Sequence, residues 1–505
     1  MTPASLYTLA LAQLPVLQVL APLLAAPACA LLRGRALPWL LTLAASATAF
    51  AISLALLSTV FGGTPIEYAM GDWEAPVGIV FRIDAMSAFV LVIISGMSTA
   101  TLLYARPSLE AEIAEDDHPL FYAAYLLCLT GLLGITATGD AFNLFVFLEI
   151  SSLSTYTLVA MGARRDRRAL TAAFRYLVMG TVGATFYLIG VGFLYIITGT
   201  LNMADLAELL EGRRNTSAVP VAFAFILIGL GLKAAIMPLH AWLPNAYAYA
   251  PTAVTVFLAA TATKAAVYAL MRMLFTVFGL EFSFESDVLP YIFMPLALIA
   301  MFAASAVAVW QQDVKRMLAW SSVAQLGYIL LGLSLVQASE AGLVGSIVHL
   351  FNHALMKTAC FMAVGAFLYR SGDVTVAGLA GMGRHMPWTM GAFVVGGLSL
   401  IGVPGTVGFI SKWYLIRAAL EAGLWPVAIM IVLSSLIAVA YIWRIVEIAW
   451  FHEPERARLK TVEAPAEMLV PMTLVAALCI YFGLTATDTI AAAQAAAEAL
   501  MRGLR

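Results

Sequence analysis

Long apolar runs dominate this sequence and restrict what it can fold into. The segment from Asn143 to Gly162, NLFVFLEISSLSTYTLVAMG, contains one charged residue, Glu149. Many runs reach about 18 residues or more, the length at which an α-helix crosses ~30 Å of hydrocarbon. Of the 505 residues, 62% are hydrophobic and 11% are charged, whereas a soluble domain carries roughly 25% charged residues. We therefore predict an all-α polytopic membrane protein.

Charged residues between the runs predict how the chain crosses the membrane. The runs define about fourteen transmembrane helices, and basic residues follow the odd-numbered ones, beginning with Arg33 and Arg35 after the first. The others are Arg164, Arg165, Arg167, Arg168, Lys315, Arg316, Arg370, Arg384, Arg456, Arg458 and Lys460. Lys and Arg collect in cytoplasmic loops, so we expect these ends in the cytoplasm and both termini outside.

Two of the predicted helices contain helix-breaking residues. The seventh, LIGLGLKAAIMPLHAWLPNAY, carries Pro238 and Pro244, and the twelfth, LSLIGVPGTVGFISKWYLI, carries Gly402, Pro404 and Gly405. A proline removes a backbone donor and frees a carbonyl, which needs another partner in hydrocarbon. Discontinuous helices at matching places in two halves indicate inverted repeats around an ion site. The alternative is that Pro and Gly are simply more frequent in membrane helices.

Each break lies inside one predicted repeat, and the two repeats divide the sequence into four predicted parts. A first five-helix repeat spans 118–279, and a second spans 287–450. Because five crossings are an odd number, the second repeat is inverted relative to the first. A three-helix N-terminal region precedes them at 1–117, and a C-terminal helix with a short tail follows at 451–505.

Four charged residues lie well inside apolar runs: Glu149, Lys233, Lys264 and Lys412. Each costs about 2.5–3.5 kcal/mol at the bilayer centre if it is dry and unpaired. Four such costs together are comparable with the stability of a whole domain. These side chains must therefore pair with one another, contact water or lose their charge.

Glu149 permits two interpretations. Ser152 and Tyr156, three and seven residues later, extend a polar stripe along the same helix face. One interpretation is a structural ion pair with a lysine. The other is a carboxylate that takes up or releases a proton whenever a lysine partner leaves or approaches.

The run SIVHLFNHALMKTACF places titratable groups on one helix face. His349, His353 and Lys357 recur at four-residue spacing, and Ser346 precedes them by three. Histidine exchanges protons near neutral pH, so one interpretation is a proton relay; the alternatives are hydrogen-bonded core histidines or a metal site. A metal site is disfavoured because Leu350 stands where the H-E-x-x-H motif has its glutamate and no third ligand is evident.

The remaining motifs do not indicate bound cofactors. The four cysteines are scattered singly, which disfavours iron–sulfur ligation and a disulfide framework. GLGLKAA lacks the remainder of a phosphate-binding loop, and no flavin or haem motif is recognisable. We expect no cofactor and no metal, so energy would come from an ion gradient or an attached redox partner. The net charge of −2 does not suggest nucleic acid as a partner.

Several motifs together resemble one family over nearly the whole chain. They are TGDAFNLFVFLEISSLSTYTL, LKAAIMPLHAWLPNAYAYAPT, ATATKAAVY, QQDVKRMLAWSSVAQLGY, HLFNHALMKTACF and GVPGTVGFISKW. The sequence is similar to the antiporter-like proton channel family, and most closely to D subunits of Mrp-type Na⁺/H⁺ antiporters. Its relatives include antiporter-like subunits of respiratory complex I and membrane-bound hydrogenases. Asn245 and Tyr247 depart from the acid and histidine usual in complex I relatives.

The resemblance assigns roles to the buried charges. It implies that Glu149 and Lys233 are an ion pair that gates proton movement, and that Lys264 passes the proton inward. It further implies that His349 and His353 continue the relay and that Lys412 ends it near the exit. These groups would form a row along the membrane midplane.

The resemblance also implies a function. We expect a proton-translocating subunit of a multisubunit Na⁺/H⁺ antiporter in a prokaryotic inner membrane, a secondary transporter without covalent chemistry. Its partners would be other membrane subunits, H⁺, the lipid bilayer and, in one form of the hypothesis, Na⁺. The first alternative is a proton-pumping subunit of a complex I-like dehydrogenase or hydrogenase. A further alternative is an assembly scaffold whose charges pair statically.

Overall fold

The computed structural model describes residues 12–214, 216–453 and 462–502. Within them, twelve helices are long and apolar enough to cross a membrane, and two further crossings are made by pairs of half-helices. The fourteen crossings are α1 Leu14–Leu31, α2 Ala36–Val60, α3 Ala85–Glu112, α4 His118–Ala137, α5 Ala141–Ala160, α6 Arg168–Thr198, α7a Ala218–Lys233 with α7b Leu243–Tyr249, α8 Thr252–Met271, α9 Leu289–Trp310, α10 Val314–Ser334, α11 Glu340–Ser371, α12a Pro387–Ile401 with α12b Val407–Glu421, α13 Trp425–Phe451 and α14 Ala466–Leu484.

Smaller elements connect or extend these helices. Helix α8 continues as a π-helical turn, and α9 contains two such turns. The π-helical turns are Arg272–Val277, Leu289–Phe293 and Ala300–Ala304. The short α-helices are Met203–Glu211, Leu280–Glu285, Met382–His385 and Thr487–Met501. The 3₁₀ turns are Met70–Asp72, Glu115–Asp117, Met161–Arg164 and Ala377–Leu379. Strands β1 Ile66–Ala69 and β2 Val80–Ile83 pair in an antiparallel hairpin. This hairpin was not predicted from the sequence.

Two five-helix groups, α4–α8 and α9–α13, share local devices at matching places. Asp140 caps α5 by accepting a hydrogen bond from the backbone of Asn143 at 2.7 Å, and Asp313 caps α10 in the same way at 2.8 Å. Helices α6 and α11 both end at a left-handed glycine, Gly199 and Gly372. The interrupted helix is the fourth of five in each group. These matches agree with the predicted pair of inverted repeats.

Both predicted helix breaks are confirmed. Helix α7a ends at Lys233, and the nine residues before α7b include Pro238. Helix α12a ends at Ile401, where Gly402 and Gly405 have φ angles of +89° and +85°, a region that glycine adopts without steric cost. At the first break, the Trp242 indole donates a 2.9 Å hydrogen bond to the Leu232 carbonyl, which supplies a partner for backbone freed by the break.

The centre of the molecule lies around three helices, α8, α10 and α11, which are almost entirely buried. Helix α11 packs against α8, α10, both halves of α12, and α14. Polar side chains on α11 are therefore removed from lipid as well as from bulk water. This packing places the histidines of α11 between the two broken helices.

The membrane orientation and the four-part division stay predictions. The basic residues expected after α13, Arg456, Arg458 and Lys460, lie outside the described residues. Arg33 and Arg35 follow α1, and the arginines between α5 and α6 lie at the matching end, as the positive-inside argument requires.

Candidate functional site

The carboxylate of Glu149 and the ammonium of Lys233 form a pair between α5 and α7a. Lys233 Nζ lies 3.1 Å from Glu149 Oε1. The Lys233 side chain is 5% exposed, whereas that of Glu149 is 23% exposed. Lys233 is the last residue of α7a, so the helix is interrupted directly after this lysine. The pair thus joins a buried cation at a helix break to a partly accessible carboxylate.

Only one of the two polar residues predicted beside Glu149 reaches the pair. Ser152 Oγ accepts a 2.6 Å hydrogen bond from Lys233 Nζ. The Tyr156 hydroxyl has no hydrogen-bond partner among the described residues, and its ring packs edge-on to Tyr176 at 4.7 Å between centroids. Tyr156 therefore acts in packing, next to the stacked rings of Tyr176 and Trp242.

A small cavity lies on the inner side of the pair. It has a volume of about 20 Å³, and Lys233, Ser152 and Thr155 line it together with Ala262 and Ala266 of α8. A space of roughly 10–15 Å³ or more accommodates a water molecule. The cavity therefore offers a polar step from Lys233 toward the helix that carries Lys264.

Lys264 and Lys357 are completely buried and contact neutral groups. Lys264 Nζ donates to the Ala259 carbonyl of its own helix. Lys357 Nζ donates to the Leu318 carbonyl at 2.8 Å and to Ser321 Oγ. Of the lysines in the described ranges, only Lys233 forms an ion pair.

The two histidines of α11 have different surroundings. His349 Nδ1 lies 2.7 Å from Ser411 Oγ, and Nε2 lies 3.0 Å from Gln325 Oε1. Both nitrogens of His353 lack a hydrogen-bond partner in the described part of the chain, although the residue is fully buried. The rings are nearly parallel, with centroids 6.1 Å apart. The interpretation as hydrogen-bonded core residues fits His349 but not His353.

The surroundings of His349 accommodate either protonation state. Gln325 Nε2 lies 3.5 Å from the Leu400 carbonyl, which orients Oε1 toward the ring, so Nε2 of His349 donates to it. A neutral ring then accepts at Nδ1 from the Ser411 hydroxyl. When the ring gains a proton, Nδ1 donates instead, and the hydroxyl turns to the Gly408 carbonyl 3.3 Å away. Ser346, predicted on the same face, donates to the Ile329 carbonyl instead.

Lys412 lies in a cradle built at the second helix break. Its Nζ donates three 2.9 Å hydrogen bonds, to the carbonyls of Leu400 and Ile401 and to Ser435 Oγ. These carbonyls are at the C-terminus of α12a, where the helix dipole favours a cation. Nζ also lies 4.6 Å from the centroid of the Tyr328 ring, a distance suited to a cation–π contact.

A shared carbonyl links His349 to Lys412. Gln325 and Lys412 both approach the Leu400 carbonyl, and Gln325 also contacts His349. Gln325, Ser411 and Ser435 were not predicted from the sequence, because uncharged polar residues are not conspicuous in a membrane helix. The available signal was the face that Gln325 shares with Ser321 and Ser322 in SSVAQLGY.

Two further polar groups lie apart from this row. Asp84 and Arg272 form a buried two-bond ion pair at 2.7 and 2.9 Å, which the sequence analysis did not predict. Asp84 also caps α3, so both its oxygens are committed to structure. His240 lies in the first break with its ring edge-on to Trp320, 5.1 Å between centroids, and it joins none of the groups above.

The fold and site together define a class of protein. Fourteen crossings, two broken helices and a series of buried titratable groups between them are typical of membrane subunits that move ions. Residues 138–438 match the family described as NADH:quinone oxidoreductase/Mrp antiporter, transmembrane. This match covers more than half of the chain, and the protein belongs to that family.

Named relatives come from both branches of the family. The chain is 41% identical to the NADH-quinone oxidoreductase subunit N of Desulforudis audaxviator over 94% of this chain and 96% of that protein. Among the D subunits of Na⁺/H⁺ antiporters, that of Alkalihalophilus pseudofirmus is 29% identical to this chain over 86% of each. A chain in the Mrp complex from Dietzia sp. superposes with a TM-score of 0.88 at 27% identity, covering 97% of both chains.

Proposed function

We propose that this protein is a proton-translocating subunit of a multisubunit membrane complex. The observation that carries the proposal is the series of buried groups, Lys233, Lys264, His353, His349 and Lys412, which has one carboxylate, Glu149, at its partly exposed end. Buried ammonium and imidazolium groups without counter-charges are costly. Such groups give up protons readily to a neighbour, as a relay requires.

The Glu149–Lys233 pair controls entry to the row. While the pair is closed, Lys233 is held by Glu149 and Ser152. When Glu149 takes up a proton, the attraction falls, and Lys233 is able to turn toward the small cavity beside α8. Lys233 gives its proton to the row, which carries it through Lys264 and the two histidines to Lys412. The neutral Lys233 then returns and takes the proton from Glu149, which restores the ion pair.

The first candidate for the whole complex is an Mrp-type Na⁺/H⁺ antiporter, a secondary transporter without covalent chemistry. The motifs around Glu149, Lys233 and Lys412 support it, as do the named antiporter relative and the superposed Mrp chain. Sodium would pass through a neighbouring subunit or along this one. The likeness to an NADH-quinone oxidoreductase subunit at 41% identity favours a second candidate, a proton-pumping subunit of a redox-driven complex.

Everted membrane vesicles containing the whole complex test the proposed role. We expect Glu149→Gln and Lys233→Gln to reduce ΔpH-linked transport to the vesicle background while the complex still assembles. Glu447→Gln is the matched control, because Glu447 is an exposed carboxylate on α13. Normal transport in either variant of the pair would refute proton conduction through this row.

A second assay separates the two candidates. The vesicles receive a Na⁺ pulse without an electron donor, and then an electron donor without Na⁺, while a pH-sensitive dye reports proton movement. An antiporter responds to the Na⁺ pulse, and a redox-driven pump responds to the donor. In both candidates the Glu149 and Lys233 variants lose the response.

The proposed location is a prokaryotic inner membrane with both termini outside. The arginine-rich ends of α1 and α5 support this orientation. Single cysteines introduced at Arg164 and at Glu74 test it, with a membrane-impermeant thiol reagent applied to intact cells. We expect labelling at position 74 and protection at position 164; the reverse pattern would contradict the orientation.

A further inference from the structure

A basic cavity lies where α6, α7b and α10 meet, on the arginine-rich side of the molecule. Its volume is about 290 Å³. Its polar lining consists of Arg168, Thr171, Arg175, Asn245, Tyr249 and Arg316. None of these residues belongs to the row of proton-carrying groups described above.

Two of the three arginines in the cavity have no ion-pair partner in the part of the chain that the structure describes. Arg168 pairs with Asp166 at 2.6 Å and lies over the Tyr249 ring, 4.6 Å from its centroid. Arg175 and Arg316 form no ion pair within the described ranges, and the buried Nε of Arg316 has no hydrogen-bond partner there. The cavity therefore presents two guanidinium groups that have no ion-pair partner among the described residues.

Arg175 is an exposed charge close to the expected boundary between the lipid headgroups and the hydrocarbon core. Helix α6 begins at Arg168, so Arg175 is seven residues, or about 10 Å, along the helix axis. Its side chain is exposed on the outer surface of a membrane-spanning helix. A cation at this place is costly in lipid unless an anion or the headgroup layer meets it.

An apolar stripe continues from the cavity along the same helix face. Thr171 and Arg175 are followed at helical spacing by Val178 and Val182, which are 46% and 44% exposed. Phe174, beside this stripe, is 64% exposed. The surface thus changes from arginines to apolar side chains in the direction of the membrane interior.

We propose that this cavity binds an anionic phospholipid. Its phosphate contacts the guanidinium groups of Arg175 and Arg316, which match phosphate oxygens in geometry, and its acyl chains lie along Val178 and Val182. Basic pockets between helices on the cytoplasmic side suit such headgroups. Free phosphate would use the same guanidinium groups but gains nothing from the apolar stripe.

Native mass spectrometry of the whole complex in detergent tests this site. The delipidated complex is titrated separately with dioleoylphosphatidylglycerol, dioleoylphosphatidylcholine and inorganic phosphate. We expect the wild type to bind one phosphatidylglycerol more tightly than the Arg175→Gln/Arg316→Gln variant by about 30-fold, since each arginine contributes roughly a factor of five. Phosphatidylcholine should not distinguish the two proteins, and inorganic phosphate should bind the wild type much more weakly than phosphatidylglycerol does.

The control variant is Arg164→Gln/Arg167→Gln, which removes two exposed arginines from the same side of the membrane but not from the cavity. If both double variants lost phosphatidylglycerol binding equally, the attraction would be a general effect of charge, and the proposal would be overturned. The proposal would also be overturned if the wild type bound phosphatidylcholine as tightly as phosphatidylglycerol, or if inorganic phosphate displaced the phosphatidylglycerol.

A second variant covers the case in which the double substitution prevents assembly. Thr171→Trp fills the cavity and leaves all three arginines in place. We expect it to lose the same phosphatidylglycerol, and retention of that lipid would overturn the proposal. Because transport is not the readout, the result is independent of which ions the complex moves.

Discussion

The two helix breaks hold their lysines in different ways. At the first break, Lys233 is paired with a carboxylate and a hydroxyl, Glu149 and Ser152. At the second, Lys412 is bound by two backbone carbonyls at the end of α12a and by Ser435. A side-chain carboxylate can change its charge by taking up a proton, whereas a carbonyl cradle cannot.

The difference originates in the sequences of the two repeats. Counted from the capping aspartates Asp140 and Asp313, the same position is occupied by Glu149 in the first half and by Ser322 in the second. One architecture therefore carries a switchable lysine in one half and a fixed lysine in the other. Under the proposed function, this asymmetry assigns control of proton entry to the first half and stabilisation of the far end of the row to the second half.

Removing the carboxylate should have the largest effect on the first half. Glu149→Gln leaves Lys233 as a buried charge without its counter-ion, which costs about 3 kcal/mol. We expect a clear loss of thermal stability of the whole complex in detergent. Adding Lys233→Met should restore stability but not transport. A Glu149→Gln complex as stable as wild type, or no rescue by the second change, would contradict the pairing.

Disturbing the cradle should have a smaller effect on the second half. A Cβ at Gly402 would lie 2.8 Å from Lys412 Cδ, at a backbone φ of +89°. We expect Gly402→Ala to cost about 1–2 kcal/mol and to slow ΔpH-linked transport about tenfold. Gly391→Ala, in the half-helix α12a that precedes Gly402, is the control, since nothing lies within 4 Å of an added Cβ there. Equal effects of both changes would show that the cradle geometry is unimportant.

The smallest expected effects come from the two hydroxyls. One hydrogen bond contributes about 1 kcal/mol. Lys233 loses one of its two contacts in Ser152→Ala, whereas Lys412 keeps two carbonyls in Ser435→Ala. We expect initial transport rates to fall about fivefold in Ser152→Ala and about twofold in Ser435→Ala. The reverse order would contradict the assignment of the switch to the first half.

The features that could be predicted from the sequence are those that are energetically costly in a membrane. A charge in an apolar run and a proline in a membrane helix are expensive, so Glu149, Lys233, Lys412 and both breaks could be identified without coordinates. The identity of the partners could not. Whether Glu149 or Tyr156 contacts Lys233 depends on the rotation of α5, and periodicity does not specify which neighbour that face meets.

Long-range contacts explain most of what the sequence missed. Gln325, Ser411 and Leu400 meet His349 or one another because α10, α11 and α12 pack together, and their sequence separations conceal this. The same holds for Asp84 and Arg272, which are 188 residues apart. The matching caps of α5 and α10 were visible in the sequence only as two isolated aspartates.

His353→Leu provides the most direct test of the central claim, that protons pass along the row between the two broken helices. Neither nitrogen of His353 has a hydrogen-bond partner within the described residues, so a leucine of similar size should leave stability unchanged or raise it. His385→Leu is the matched control, because His385 is a partly exposed histidine at the end of the short helix Met382–His385. Proton flux into proteoliposomes of the whole complex should fall to background in His353→Leu and stay normal in His385→Leu. Normal flux in a stable His353→Leu complex would contradict the account.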